Sequence, residues 1–211
     1  MTYLYLVRHG ETDWNRARRI QGTTDIPLND TGREQARATG RLLSGRQWDG
    51  IVASPLSRAF ETAQIIAEEL GLPEPTPLEA LVERNYGEAE GLTGDELAAR
   101  FPGETPVEGR EERSAVAERA LPALVELAGH GPDRSIIVVS HGGVIRTVLK
   151  EVGPSHGPHH TEAIPNGSVH SFRFADDALE LVAFDDPIES ESVSVGSEDF
   201  PEQNPIERRE S

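Results

Sequence analysis

The chain has 211 residues, enough for one domain with a substantial core, since a domain averages about 150 residues. Its 20 basic and 37 acidic side chains give a formal net charge of −17. That balance argues against a nucleic-acid partner, because an acidic surface repels phosphate backbones. Cysteine is absent, which excludes disulfide frameworks, thiol nucleophiles and Cys-ligated zinc or iron–sulfur sites.

The opening MTYLYLVRHGETD reaches Arg8 and His9 after one short apolar run. That run is too short for a signal-peptide core or a bilayer span, and no later stretch approaches about 18 apolar residues. A cytoplasmic globular protein with no membrane partner is expected. Tyr3–His9 reads as a strand and Gly10 follows it. Thr31 and Glu34 have capping-box spacing, predicting a helix from there through Leu43. Gly50–Ser54 reads as a second strand. It leads through Pro55 into LSRAFETAQIIAEELG, where Ala59, Ala63, Ile66, Ala67 and Leu70 recur at helical spacing and Gly71 is the stop. Thr93 and Glu96 repeat the capping-box signature before LAARF. Glu111–Ala128 reads as a helix that Pro122 should kink or restart. Ser135–Ser140 is a further strand, followed by His141-Gly142-Gly143 and a helix-like VIRTVLKEV. Ser168–Phe174 and Leu179–Phe184 alternate around Ala175-Asp176-Asp177, a closing hairpin.

Strands alternating with helices predict an α/β layered fold with a mainly parallel central sheet. One domain over 1–186 is expected. From Pro187 onward the chain carries seven acids and two arginines among Ser and Pro. Such a segment buries too little apolar surface to offset its ordering entropy, so 187–211 reads as an acidic, disordered tail.

The chemistry gathers at two His-Gly steps. Each follows a β-rich run, and α/β folds place their ligand crevices at the carboxyl ends of such strands. His9, with Arg8 beside it, and His141 are therefore expected to meet at one crevice. Arg58 opens a helix nearby, where the dipole favours an anion.

At these residues the sequence resembles the histidine phosphatase superfamily of phosphoglycerate mutase-like proteins. The matching stretches are LVRHGETDWN at 6–15, QGTTDIPLNDTG at 21–32, SPLSRAFETA at 54–63, LVERNYGEAEG at 81–91 and VVSHGGVIR at 138–146. They stand in family order across residues 3–174. The resemblance implies a three-layer α/β/α sandwich and a phosphohistidine mechanism with no metal and no cofactor, acting on a small-molecule phosphate monoester. On it, His9 is the nucleophile, Arg8 and Arg58 neutralise the phosphate dianion, His141 binds phosphoryl oxygens, and Glu83 serves as acid and base. That last role calls for a raised pKa, which neighbouring arginines oppose and a bound phosphate favours. A homodimer is left open, since family members often pair.

Other residues carry two readings each. Asn15, Gln21 with Gly22, and Gly142 match positions lining the family's pocket. Equally, Asn15 caps a turn and Gln21 is a solvated loop residue. Arg84 and Tyr86 either touch the far end of a substrate or pack a loop. Glu11 and Thr12 are pocket residues or local turn partners, and Trp14 reads as wall or core. His156, His159 and His160 fall in a Pro- and Gly-rich stretch without a helical i, i+4 pair, so no metal site is assigned to them. Between branches, Glu83–Gly87 and the IPNGS stretch resemble cofactor-dependent phosphoglycerate mutases. Gly94, however, stands where those mutases carry Lys, and their Trp-Arg-Arg stretch has no counterpart between Phe101 and Arg113. A phosphatase is therefore favoured over a mutase. An inactive interaction module is the third reading, and the presence of all five central residues opposes it.

Overall fold

A computed structural model describes residues 1–153 and 162–185. The three loop histidines and the acidic tail lie outside the described residues. The elements run β1 (Thr2–Arg8), α1 (Asp13–Arg16), α2 (Asp30–Leu43), β2 (Gly50–Ala53), α3 (Ser57–Leu70), β3 (Thr76–Pro77), α4 (Gly94–Arg100), α5 (Arg113–Gly129), β4 (Ser135–Ser140), α6 (Gly142–Val152), β5 (Val169–Ala175) and β6 (Ala178–Ala183). Two 3₁₀ turns, Glu79–Leu81 and Gly87–Ala89, lie between β3 and α4.

The six strands form one sheet in the order β3-β2-β4-β1-β5-β6. β1, β4, β2 and β3 run parallel, and β5 and β6 return antiparallel. Successive side chains on a strand face opposite sides, so the apolar runs in β1 and β4 serve two cores. Leu4, Leu6, Ile136 and Val138 pack with Leu124, Ile145 and Val148 of α5 and α6. Tyr5, Val7, Ile137 and Val139 pack with Leu43, Ala63 and Ile66 of α2 and α3. Helices thus cover both faces, the three-layer arrangement expected.

Several local details differ from the sequence reading. The cap of α2 is Asn29, whose side chain accepts the Gly32 N–H at 2.9 Å, and Thr31 lies inside the helix. Both residue types cap helices well. Asn29 prevails because its amide also donates to Glu11 at 2.8 Å, tying the helix start to the loop after β1. The capping box at Thr93 forms as expected. α5 passes through Pro122 without a restart. Pro122 removes one backbone donor, but it and Glu118 are exposed, so the Glu118 carbonyl left without that donor faces water. β3 escapes periodicity because it is two residues long and ends in Pro77. The closing hairpin turns at Asp176 and Asp177, with φ of 51° and 61°, the left-handed pair that a tight two-residue hairpin needs.

Asn29→Ala is expected to destabilise the protein by about 1 kcal/mol or more in urea unfolding, and Thr31→Ala by less. Equal losses would return the cap to Thr31.

Candidate active site

Parallel pairing builds the centre of the site. Arg8 of β1 is in register with Ser140 of β4, and the His9 N–H extends the ladder to the Ser140 carbonyl at 3.0 Å. Neighbouring strands lie about 4.8 Å apart, so the next residue of each chain, His9 and His141, must emerge side by side. Their ring centroids are 5.1 Å apart, edge to face. Gly10 is required where it stands. A Cβ there would lie 2.3 Å from the Gly32 carbonyl, because the start of α2 packs directly on the loop after β1.

The two rings are buried, and burial is the main reason both pKa values lie well below the ordinary 6.5. Arg58 and then Arg8 depress His9 further, and Arg58, His9, Arg8 and Arg119 do the same to His141. Both imidazoles are therefore neutral at pH 7. His9 Nδ1 lies 2.7 Å from the Gly10 carbonyl. A carbonyl only accepts, so Nδ1 carries the proton and Nε2 keeps its lone pair.

The two guanidinium groups are held from behind by carbonyls. Arg8 Nη1 donates to Ile164 O, and the start of α6 lies against its guanidinium, where a Cβ on Gly142 would make ordinary contact with Arg8 Cζ at 3.4 Å. Arg58 is fully buried and donates to Thr24 O at 2.9 Å and Gly22 O at 2.7 Å. Burial lowers its pKa to about 10, partly offset by the Glu83 and Asp25 carboxylates, so it stays charged. Contrary to the sequence reading, the start of α3 is not open to an anion. Asp25 already occupies it, accepting from the Ser57 N–H at 2.8 Å and hydroxyl at 2.7 Å. Thr62 joins the two arms by accepting from Gly10 N–H at 3.0 Å and donating to Arg58 O at 2.7 Å.

Glu83 reaches the site from the segment after β3. Its carboxylate accepts from the Arg84 N–H at 2.8 Å, Gly143 N–H at 3.0 Å and Val144 N–H at 3.2 Å. The last two belong to the first turn of α6, so the helix start holds Glu83 against the strand-end histidines. A Cβ on Gly143 would lie 2.6 Å from Glu83 Oε1 and 3.0 Å from the Tyr86 hydroxyl.

Asn15 and Gln21 are both buried, so the solvated reading of Gln21 fails. The turn-capping reading of Asn15 holds: it closes a capping box with Thr12. Its Oδ1 accepts from the Thr12 N–H at 3.1 Å, while Gln21 Oε1 accepts from the Thr12 hydroxyl at 2.8 Å. Those bonds leave both amide nitrogens without a hydrogen bond among the described residues. Glu11 is a local partner of Arg16 and Asn29, and Trp14 lies over Gly91. Arg84 and Tyr86 are buried, with the Arg84 guanidinium 5.5 Å over the Tyr86 ring and its Nε donating to Glu111 O at 2.7 Å.

Four supporting residues were not singled out from sequence. Ser54, directly after β2 and before Pro55, lies 2.8 Å from His141 Nε2. Asn166, in IPNGS, donates to the His9 carbonyl at 2.8 Å. Arg110 pairs with Tyr86 in an isolated bridge, which puts a cation beside this loop although the Trp-Arg-Arg stretch is missing. Glu90 accepts from the Thr23 N–H at 2.9 Å, the Thr24 N–H at 2.9 Å and the Tyr86 N–H at 3.1 Å. It thereby fixes the loop whose carbonyls aim Arg58. Gly22, at φ 58°, leaves room for it, since a Cβ would meet Glu90 Oε1 at 2.0 Å.

Two neutral imidazoles and two buried guanidinium groups, with a carboxylate at a helix start, thus gather at the strand ends of a phosphoglycerate mutase-like sheet. A sequence profile of the histidine phosphatase superfamily (branch 1) matches residues 4–187. The phosphatase PhoE of Bacillus subtilis (strain 168) is 38% identical over 177 residues, 84% of this chain and 91% of its own. A 2,3-bisphosphoglycerate-dependent phosphoglycerate mutase of Gloeobacter violaceus is 36% identical over 72% of this chain and 76% of its own. Among solved structures, a mycobacterial glucosyl-3-phosphoglycerate phosphatase complexed with VO3 superposes at TM-score 0.77 and 30% identity, covering 87% of this chain and 98% of its own. The chain belongs to the histidine phosphatase superfamily.

Unfolded histidines bind protons below about 6.5 while the native pair resists them, so acidification favours the unfolded state. The stability held by keeping them neutral is complete above pH 6.5 and is lost as pH falls towards their native values. Each can contribute up to about 1.4 kcal/mol per pH unit. His9→Ala should therefore flatten the pH dependence of unfolding free energy between pH 6.5 and 5. An unchanged slope would show that His9 is not held neutral.

Proposed function

We propose that the protein hydrolyses phosphate monoesters of small metabolites, of the phosphoglycerate or sugar-phosphate kind, through a phosphohistidine on His9 and without a metal. The observation that carries this reading is the His9–His141 pair between Arg8 and Arg58, with His9 Nε2 left as an acceptor. Phosphate monoester dianions repel nucleophiles until their charge is neutralised, and permanently charged guanidinium forks do this well.

In the reading proposed, Nε2 attacks phosphorus, the N–P bond forms, and the bond to the leaving oxygen breaks. Glu83, protonated when the dianion binds beside it, gives its proton to that oxygen. A water then attacks phosphorus while the Glu83 carboxylate takes its proton, and the N–P bond breaks to release inorganic phosphate and neutral His9. One displacement is thus divided into two. His141 and the Gly142 N–H, which has no acceptor among the described residues, stabilise the equatorial oxygens. Asn15 Nδ2 and Gln21 Nε2 offer further donors to the substrate, and the Gly22 carbonyl orients Arg58. Arg84 and Tyr86, being buried against Glu111 and Gly143, shape the site from behind.

A phosphoglycerate mutase is the second reading, favoured by the 83–87 stretch and by the mutase relative. Against it, Gly94 opens α4 with no side chain to hold a second phosphate. The phosphatase relatives support the first reading.

Labelling, chelation and substitution of Glu83 test the proposal. Protein mixed with a labelled monoester and quenched in alkali, where an N–P bond survives, should carry label, and His9→Ala should carry none and lose at least about 10³-fold in activity. Chelator should leave activity unchanged. A parent that accepts no label from a panel of monoesters would leave the interaction-module reading standing, and phosphoryl exchange between phosphoglycerates without phosphate release would favour the mutase. Glu83→Gln should slow alkyl phosphates by about 10²–10⁴-fold and nitrophenyl phosphate, whose leaving group needs no proton, far less. Parent rates on alkyl phosphates would remove Glu83 from proton transfer.

A further inference from the structure

Ser54 follows β2, and its N–H bonds to Val139 O of β4 at 3.0 Å, which places it on the same strand-end edge as His141. Both residues are fully buried. Ser54 Oγ lies 2.8 Å from His141 Nε2 and accepts from the Leu56 N–H at 3.3 Å. Among the described residues, His141 Nε2 is the single acceptor within reach of the Ser54 hydroxyl, and His141 Nδ1 is buried with no partner.

The two neutral tautomers of His141 differ in how many buried groups they strand. With the proton on Nε2, that N–H donates to Ser54, the serine hydroxyl has no acceptor, and Nδ1 has no donor. With the proton on Nδ1, the serine hydroxyl donates to Nε2 and one group is left over, the Nδ1–H. Buried polar groups are rarely left unpaired, so the second arrangement prevails. Its leftover donor lies across the ring from Ser54, on the residue that stands edge to face with the His9 ring.

We propose that Ser54 is a positioning residue that holds His141 in the Nδ1–H tautomer, so that a single preset donor meets the phosphoryl oxygens beside His9. This rests on the phosphoryl-transfer reading of the site. The low proton affinity of buried His141 is consistent with it, since a neutral ring has a tautomer to set. A donor left unsatisfied until phosphate arrives interacts more strongly with the bound phosphoryl group than one that must first break a protein bond.

The tautomer is read directly from ring-nitrogen NMR of the full-length resting protein at neutral pH, with His141 assigned by its absence in His141→Gln. The expected spectrum has His141 protonated at Nδ1 and bare at Nε2. Protonation at Nε2 would overturn the proposal whatever the enzyme's activity, so its failure is distinct from failure of the hydrolytic reading. In Ser54→Ala the Nδ1–H signature should give way to the other tautomer or an average, with kcat lower by about 10–100-fold and KM changed less. Ser54→Thr, which keeps the hydroxyl, should restore the signature. A Ser54→Ala protein that keeps both the Nδ1–H signature and the parent kcat would also overturn it. Should the variant not fold, the spectrum of the parent decides alone.

Discussion

The register between β1 and β4 is the constraint on which the site depends. Parallel strands that pair residue for residue must present their next residues together, and here those residues are His9 and His141. A slip of one position would turn one ring to the opposite face of the sheet. The alternating apolar residues of the two strands prevent that slip, because Leu4 and Leu6 are committed to one core and Tyr5 and Val7 to the other. Core packing and site geometry are therefore a single specification, written in the same side chains of β1 and β4.

Around this pair the electrostatics are arranged by backbone groups. Arg8 and Arg58 are buried, and carbonyls of Ile164, Thr24 and Gly22 hold them. Carbonyl dipoles orient a guanidinium without cancelling its charge. Glu83 is treated in the mirror-image way, by three backbone N–H groups. The acidic body of the protein thus coexists with a locally cationic cup.

Much of this arrangement was legible in the chain. The strands ending at Arg8 and Ser140, the His-Gly steps, α3 with its Gly71 stop and the closing hairpin all follow from local patterns that sequence carries. What escaped depends on contacts between distant segments. Thr31 and Asn29 are equally good caps in isolation, and the bond from Asn29 to Glu11 decides between them. The start of α3 looked like an anion site until Asp25, 32 residues earlier, was seen to fill it. Ser54 and Glu90 carry no local signature of their roles, since each acts through a partner elsewhere. Gln21 looked solvated because a polar loop residue usually is, and its burial against Thr12 is a tertiary fact.

The Thr62 hydroxyl, shared between Gly10 and Arg58, makes α3 more than a covering layer. One oxygen ties the loop that carries His9 to the helix that bears the buried guanidinium. Opening that helix end by breathing motions would loosen both halves of the anion cup at once. Resistance to local unfolding at the first turns of α3 is, on this view, built into the grip on the substrate.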